Sequence, residues 1–215
     1  MARTAPFEAH SGRYDKWFMR HEAVYLSELL AVRALLPWKG MGLEVGVGTG
    51  RFAAPLGVQF GIDPAPAMLS RARQRGVTCV GGMAEALPFA EGTFDYVLMV
   101  IVLSFLDDPK TALLEISRIL RPGGAVLIGF LDQGCPCGGD YLARHQEKLF
   151  FQEATFFDVA GVQRLLADTG FNELCWAQTL FHPPDEITEP EAMQAGHGEG
   201  AFIVVRAVSR EAGIQ

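Results

Sequence analysis

Three glycines at alternate positions follow a short apolar stretch of the chain. Residues 43–52 read LEVGVGTGRF, which places Gly46, Gly48 and Gly50 directly after that stretch. Glycine has no Cβ, so such a loop can adopt positive φ angles and lets a ligand approach its backbone closely. The next apolar stretch, VQFGID, ends at Asp63, where a second parallel strand would finish. A carboxylate there can accept hydrogen bonds from both hydroxyls of a ribose, so the loop and the acid predict an adenosine-containing ligand.

The spacing of the glycines narrows the choice of adenosine ligand. Dinucleotide-binding loops read G-x-G-x-x-G, and phosphate-binding P-loops contain a GK[ST] tripeptide. This chain reads G-x-G-x-G, lacks that tripeptide, and has only Val47 and Thr49 between the glycines. Because the loop offers no basic side chain, a polyphosphate ligand is disfavoured, and so is a nicotinamide-dependent oxidoreductase.

The elements that position the loop alternate along the chain. Apolar periodicity predicts a first helix over residues 14–36, and later helices at 66–75, 109–121 and after Asp158. Strands are predicted at LEV, VQFGID, VTCV, FDYVLMV and AVLIGFL, followed by two more at LCWAQTLF and AFIVVRAV. Such alternation is typical of a parallel sheet covered on both sides. We therefore predict an α/β, Rossmann-like fold with a seven-stranded, mostly parallel sheet and helices on both faces.

Length, charge and cysteine content limit the classes of function. The 215 residues suit one domain, and the net charge of -7 comes with no cluster of Lys and Arg. Nucleic acid and an anionic membrane are therefore disfavoured as partners. No secretory signal is predicted, and the apolar run at residues 96–106 is shorter than the about 20 residues that span a bilayer. Four scattered cysteines favour reduced thiols and a cytoplasmic location, and no metal site is predicted.

The block E-x-G-x-G-x-G at residues 44–50, with Asp63 downstream, resembles class I S-adenosylmethionine-dependent methyltransferases. Three later segments, GMAEALPF, FDYVLMVIVLSFLDDP and EISRILRPGGAVLI, resemble the small-molecule group that includes the ubiquinone and menaquinone biosynthesis methyltransferases, the methyltransferase type 11 domain. The resemblance extends over roughly residues 40–130. It implies an enzyme that passes a methyl group from S-adenosyl-L-methionine to a small-molecule acceptor by in-line displacement and leaves S-adenosylhomocysteine.

The same resemblance implies roles for residues at the strand ends. Glu44 and the glycine loop would hold the methionine end of the cofactor, Asp63 its ribose, and residues 64–68 and 83–84 its adenine. The implied cofactor-binding residues are Glu44, Gly46, Val47, Gly48, Gly50, Asp63, Pro64, Met68, Met83, Ala84 and Val100. The implied organisation is a helical cap at residues 1–39, a cofactor-binding core at 40–131, and acceptor-side helices with the last two strands at 132–215.

The sequence does not decide which residues are catalytic. Methyl transfer needs a general base only if the acceptor arrives protonated, and the candidate bases are Tyr14, His145 and His197. Tyr14, Trp17 and Phe18 either line a lid over the acceptor or pack their helix against the sheet.

Two alternative functions also stay open. Cys135 and Cys137 could bind a soft metal or arsenite, which would indicate an arsenite or thiol methyltransferase. Met83 stands where many relatives have aspartate, and Ser104 where many have histidine, which would permit a non-catalytic cofactor-binding sensor or partner subunit. The oligomeric state is not predicted.

Overall fold

Strands and helices alternate along the chain as the sequence predicts. The structure is a computed structural model that describes residues 4–136 and 149–209. The strands are β1 (Gly42–Val45), β2 (Phe60–Asp63), β3 (Thr78–Gly81), β4 (Phe94–Val100), β5 (Leu120–Leu131), β6 (Phe171–Thr179), β7 (Gln194–Ala195) and β8 (Phe202–Ser209). The helices are α1 (Ala5–Arg20), α2 (Glu22–Leu35), α3 (Ala53–Leu56), α4 (Pro66–Gln74), α5 (Pro109–Ile119) and α6 (Val159–Asp168), and a 3₁₀ turn spans Val102–Phe105.

The strands form one sheet in the order β3-β2-β1-β4-β5-β8-β6-β7. β1 to β5 are parallel to one another, and β8 runs antiparallel between β5 and β6. The order reverses between β1 and β4, because β2 and β3 extend from one side of β1 whereas β4 and β5 extend from the other. Open α/β sheets bind ligands outside the carboxyl ends of their strands at such a reversal. The predicted Rossmann-like fold is confirmed, and it points to the loops after β1, β2 and β4.

The sheet has eight strands in the described ranges, where the sequence predicts seven. The additional strand is β7, in which Gln194 and Ala195 pair with Gln178 and Ala177 of β6. It lies in the polar segment between the last two predicted strands and shows no apolar alternation, the signal by which half-buried strands are predicted. Backbone pairing with the edge of β6 forms this strand, so the side-chain pattern does not predict it.

Helices cover both faces of the sheet, as predicted. Val32 of α2 belongs to a buried apolar cluster that includes Leu98 of β4. On the opposite face, Leu113 of α5 and Val162 of α6 pack in a second cluster with Val97. Neighbouring residues of β4 therefore point into opposite cores, as in a strand that is buried on both faces. Within the described ranges, no helix is both long and apolar enough to cross a membrane.

Local capping chemistry sets several helix boundaries. Asp108 accepts a hydrogen bond from the backbone N–H of Thr111 at 3.0 Å, and Asp158 accepts one from Gly161 at 2.6 Å. Both predicted acids therefore cap their helices. The short α3 ends at Gly57, whose φ of +72° is left-handed and favours glycine at this position.

The N-terminal helical segment differs from the prediction. The sequence predicts one helix over residues 14–36, whereas α1 already begins at Ala5 and a break at His21 separates it from α2. His21 has φ −121° and ψ 49°, and its backbone N–H donates to the carbonyl of Trp17 at 3.0 Å. The first turns of α1 pack aromatic rings such as Phe7 against other parts of the fold. Tertiary contacts of this kind leave no periodic signal in the sequence.

Candidate functional site

A cavity lies at the reversal of strand order, between the carboxyl ends of β1, β2 and β4 and the helix α1. Its wall contains the glycine loop, the acid at the end of β2, the residues after β4 and several aromatic rings. The residues with roles predicted from the sequence that line this cavity are Tyr14, Gly46, Gly48, Asp63, Pro64, Met68, Met83, Ala84 and Val100. Most of the predicted site is thus brought together in one place.

Gly46 and Gly48 form the part of the glycine loop that faces the cavity. Their φ angles are +69° and +52°, in the region that favours glycine. A Cβ on Gly46 would overlap the side chain of Val102, whereas a Cβ on Gly48 would have its nearest neighbours 3.9 Å away. The backbone of Gly48 is therefore open to close approach by a ligand.

Two backbone amides fix Asp63 at the end of β2. Its Oδ2 accepts a hydrogen bond from the N–H of Gly48 at 2.9 Å, and its Oδ1 accepts one from Ala65 at 2.8 Å. Burial raises the pKa of Asp63, and the two amides act in the opposite direction. Each carboxylate oxygen can accept more than one hydrogen bond. The carboxylate is therefore held in place and can still accept hydrogen bonds from the cavity side.

Three residues of the predicted loop do not line the cavity. The side chain of Val47 occupies the space that a Cβ on Gly61 would need, and Gly50 lies against α4. Glu44 is buried, and its carboxyl accepts a hydrogen bond from the backbone of Ala53. Burial raises the pKa of Glu44 well above its usual value, and its Oε2 has no partner in the described part of the chain. These three residues therefore support the loop by packing on its side away from the cavity.

An apolar recess lies next to Asp63. It is formed by Pro64, the buried Met68 of α4, and the segment that contains Met83 and Ala84. Met83 pairs with Ala86 in an isolated bridge, so the segment forms a tight turn. Methionine adapts its shape to flat apolar ligands, and the recess can accept a ring system beside the fixed carboxylate.

The exit of β4 forms another part of the wall, at Val100 and Ile101. Ile101 has a φ of +63°, which is a rare conformation for a β-branched residue. Its N–H donates to the carbonyl of Gly129 at 2.7 Å, and Val102 after it packs against Gly46. Strain of this kind costs on the order of 1–3 kcal/mol and is often found at ligand sites.

Aromatic side chains of α1 cover the cavity. Phe7, Tyr14, Trp17 and Phe18 all line it, and the ring centroids of Tyr14 and Phe18 lie 5.2 Å apart. Phe18 also packs edge-on against Phe52 in the wall, with centroids 6.3 Å apart. Burial and the nearby carboxylates raise the pKa of Tyr14, so its hydroxyl keeps its proton. These residues thus line the cavity and pack their helix at the same time.

Asp15 fastens α1 to the glycine loop. Its carboxylate accepts hydrogen bonds from Arg51 at 2.8 Å, from Arg75 at 2.9 Å and from the hydroxyl of Thr49 at 3.0 Å. Although burial raises it, these hydrogen bonds hold the pKa of Asp15 at about 2. This Asp15 cluster (Asp15, Thr49, Arg51, Arg75) positions the aromatic residues of α1, and it was not predicted from the sequence.

Two glutamates in the cavity wall were also missed. Glu28 of α2 is only 5% exposed, and burial raises its pKa to about 8. Glu85 accepts hydrogen bonds from the backbone of Asp107 and Asp108 at 3.1 and 3.3 Å. A signal for Glu28 exists in the sequence, because spacings of three and four place it on one helix face with apolar residues. The buried residues of α2 are Val24, Ser27, Glu28, Ala31 and Val32.

The predicted catalytic and cysteine candidates differ in position. Tyr14 lines the cavity, whereas His197 is exposed with its ring 5.1 Å from that of Trp176, away from the cavity wall. His145 and Cys137 lie outside the described residues, and Cys135 is buried after β5. No group of three or more potential metal ligands occurs in residues 4–136 and 149–209.

The residues at the cavity fit an adenosyl ligand with a positively charged sulfur. The open backbone at Gly48, the fixed carboxylate of Asp63 and the recess at Met68 match a sugar and a base side by side. No Lys, Arg or His of the described residues lines the cavity, so a polyphosphate would find no cation there.

Comparison with known proteins gives a consistent result. The family described as Methyltransferase domain matches residues 43–128. The crystal structure of an S-adenosylmethionine-dependent methyltransferase from Thermotoga maritima, described as a possible histamine N-methyltransferase, is 43% identical over 96% of this chain and 99% of that chain, with a TM-score of 0.92. An uncharacterized protein of Methanocaldococcus jannaschii is 36% identical over 94% of this chain and 97% of its own length. An O-methyltransferase of Aspergillus sclerotiorum is 37% identical over 61% of this chain and 54% of its own length.

Proposed function

We propose that this chain, which belongs to the S-adenosylmethionine-dependent methyltransferases, passes the methyl group to a small-molecule acceptor in the cavity above β4. The chain is an enzyme of this class, with a Rossmann-like fold and S-adenosyl-L-methionine as its cofactor. The nature of the acceptor is what the proposal adds.

The observation that supports the proposal is that one cavity joins Asp63 and Gly48 to the exit of β4 at Val100. We assign the ribose to Asp63, the methionine end to the backbone of the glycine loop, and the adenine to the recess at Met68. Val100 would then lie near the reacting methyl group. Aromatic rings of α1 close the remaining space, which favours a small acceptor over a macromolecule.

Few catalytic groups are needed for this chemistry. The cofactor, when bound, supplies a methyl group on a positively charged sulfur that leaves readily. The protein's part is to hold the acceptor atom in line with that methyl group and to exclude water. Tyr14, Trp17 and Phe18 cover the cavity with rings, and we infer that they keep water from the reacting atoms.

A narrower family group, the domain organisation and the cellular location are also part of the proposal. The likeness to the ubiquinone and menaquinone group is supported by the four sequence segments and by an aromatic cavity that can accept a ring-bearing acceptor. A single domain and a cytoplasmic location also stay predictions, the latter supported by the free cysteines Cys79 and Cys175. No observation favours a non-catalytic sensor or an arsenite methyltransferase.

A screen of acceptors tests the proposal. Purified protein is incubated with S-adenosylmethionine and representative amines, phenols, thiols, carboxylic acids and arsenite, and released S-adenosylhomocysteine is measured. We expect release with one class of small organic molecule and none with arsenite. The Asp63→Ala variant should lower the rate, because it removes the assigned ribose acceptor. Absence of release with every organic class would contradict a small-molecule acceptor.

A further inference from the structure

Glu28 has no partner for its carboxyl within the described residues. It lies on α2, is 5% exposed and lines the cavity. Burial is the only influence on its pKa, and no hydrogen bond from a described residue reaches the carboxyl. A buried carboxyl normally has a partner, since an unpaired one costs folding free energy. Because this carboxyl faces the cavity, its partner is expected to be a group of a ligand that binds there.

Glu28 lies on the side of the cavity opposite to the assigned adenosine residues. Its helix packs against β5, β6 and β8, on one side of the reversal of strand order. Asp63, Met68 and Met83 follow β2 or β3, on the other side. Because the exit of β4 lies between the two sides, a ligand group at Glu28 would approach the reacting methyl group from the acceptor side.

The charges around this part of the cavity favour a cation over an anion. The side chains whose charges act on the neighbouring hydroxyls of Tyr14 and Tyr25 include the acids Glu28 and Glu44, while Arg51 and Arg75 act on Tyr25. Both arginines are paired with Asp15 and lie outside the cavity wall. No Lys, Arg or His of residues 4–136 and 149–209 lines the cavity. A phenolate, thiolate or carboxylate acceptor would meet no positive group, whereas an ammonium group would meet carboxyl groups.

Aromatic rings give the same preference. Tyr14, Trp17, Phe18 and Phe52 line the cavity together with Glu28. The faces of aromatic rings attract cations, and most strongly where water is excluded. An acidic group framed by rings thus combines the two features that recognise an amine.

We infer that Glu28 binds an amine acceptor and takes the proton that this amine must lose before methyl transfer. The inference rests on the proposed function. An N–H bond of the ammonium breaks as an O–H bond forms on Glu28, which frees the nitrogen lone pair. The nitrogen then forms the N–C bond while the S–C bond of the donor breaks, and its electron pair stays on sulfur. The proton stays on Glu28 when the methylated amine and S-adenosylhomocysteine dissociate, and it leaves to solvent when the next ammonium group binds.

The acidity of Glu28 suits this proton transfer. An alkyl ammonium group resembles that of lysine, with a pKa near 10.4. Burial raises the pKa of Glu28 from 4.5 to about 8 in the ligand-free protein, which makes its carboxylate a stronger base than an exposed one. A carboxylate of ordinary acidity would be a poor base for an amine in this cavity.

Calorimetry on the protein saturated with S-adenosylhomocysteine tests the inference without turnover. Two probes of nearly equal shape are titrated at pH 7, 2-phenylethylamine and 2-phenylethanol, each in two buffers of different ionisation enthalpy. We expect the amine to bind at least about tenfold more tightly than the alcohol, because only the amine pairs with the carboxylate and the rings. Its binding should release close to one proton, since Glu28 is protonated before the ammonium arrives.

Variants and pH identify the group that releases the proton. Glu28→Gln should abolish both the proton release and the preference for the amine. Glu22→Gln, the same change at an exposed position of α2, should alter neither. In the unmodified protein, release should disappear at pH 9, where Glu28 is already ionised. This measurement needs no variant, so a folding defect of Glu28→Gln leaves the test intact.

The possible results distinguish a failure of the proposed function from a failure of the amine inference alone. Failure of S-adenosylhomocysteine to bind the unmodified protein would contradict the cofactor site and with it the proposed function. If S-adenosylhomocysteine binds but the amine binds no more tightly than the alcohol, only the amine inference is wrong. Equal proton release at pH 7 and pH 9, or unchanged release in Glu28→Gln, would overturn the role of Glu28.

Discussion

Four acids near the cavity have the same kind of side chain but different surroundings. Asp15 is paired with two arginines and keeps a pKa of about 2, whereas Glu28 stands among apolar groups and has a pKa of about 8. Two amides hold Asp63, and Glu44 is buried behind the glycine loop. Burial favours the neutral form of an acid, and donors or cations favour the charged form. The surroundings therefore decide which of these acids carries a charge at neutral pH.

Asp63→Ala should weaken the binding of S-adenosylhomocysteine by roughly 1–3 kcal/mol, a 5- to 150-fold rise in Kd. The ribose hydroxyls lose an acceptor, and the N–H of Gly48 loses the carboxylate that holds the loop. Isothermal titration measures the change. Asp168→Asn, at the exposed end of α6, is the matched control and should bind as the unmodified protein does. An affinity within twofold of the unmodified value for Asp63→Ala would refute the assignment of the ribose.

The sequence predicted some residues of the site and missed others for a physical reason. Gly46, Gly48 and Asp63 were predicted because they lie at or just after the ends of strands, so local spacing reveals them. Asp15 was missed because its partners are 34 to 60 residues away along the chain. Glu28 was missed because tertiary packing decides which face of α2 lines the cavity, and the sequence does not show that packing.

Of the first two helices, α1 lies over the cavity and α2 packs on the sheet. The break at His21 lets them take different directions. α2 packs on β5, β6 and β8, while α1 contacts α4 and is tied to the glycine loop by the Asp15 cluster. The position of the rings over the cavity therefore depends on an ion-pair cluster rather than on the sheet.

Asp15→Asn should lower the free energy of unfolding at pH 7 by about 2 kcal/mol. The folded pKa of about 2 lies below the ordinary value of 3.8. The ionised carboxylate therefore stabilises the fold fully above pH 4, and this contribution is lost as the pH falls toward 2. Urea unfolding at pH 7 and pH 3 measures it, and hydrogen exchange of residues 5–20 should become faster in the variant.

Asp95→Asn is the control variant for Asp15→Asn. Asp95 forms an exposed ion pair with Arg121, in which 34% of the Asp95 side chain and 47% of the Arg121 side chain are accessible. Such pairs contribute about 1 kcal/mol or less to stability. Equal losses of stability in the two variants would show that the Asp15 cluster has no special role in holding α1.

Elements with a clear apolar pattern were predicted and the others were not. β4, α5 and the strand at β8 agree closely with their predicted places, because each buries a continuous apolar face. β7 depends on backbone pairing with β6, which leaves no side-chain pattern, and the break at His21 interrupts a helical pattern that is continuous in the sequence. Side-chain periodicity therefore predicts the elements of the core, but it does not predict an edge strand that forms by backbone hydrogen bonding.

At the scale of the whole molecule, the reversal of strand order places a cavity that fits a sulfonium nucleoside. S-adenosylhomocysteine at a hundredfold excess over its Kd should add about 2.7 kcal/mol to the free energy of unfolding. For a chain of this size that raises Tm by about 5–10 °C. NAD at the same concentration should leave Tm unchanged, because no cation of the described residues faces the cavity to receive its pyrophosphate. Differential scanning fluorimetry measures both, and a larger shift with NAD would contradict the cofactor assignment.

The position of β8 between β5 and β6 also has a consequence for synthesis. Residues 202–209 leave the ribosome after both of the strands that they join. Until then β5 and β6 each present an edge of unpaired backbone N–H and C=O groups, which can pair with another chain. A chain interrupted before residue 202 would keep those edges exposed. The topology thus predicts that a chain cut before residue 202 exposes two strand edges that the full sheet pairs.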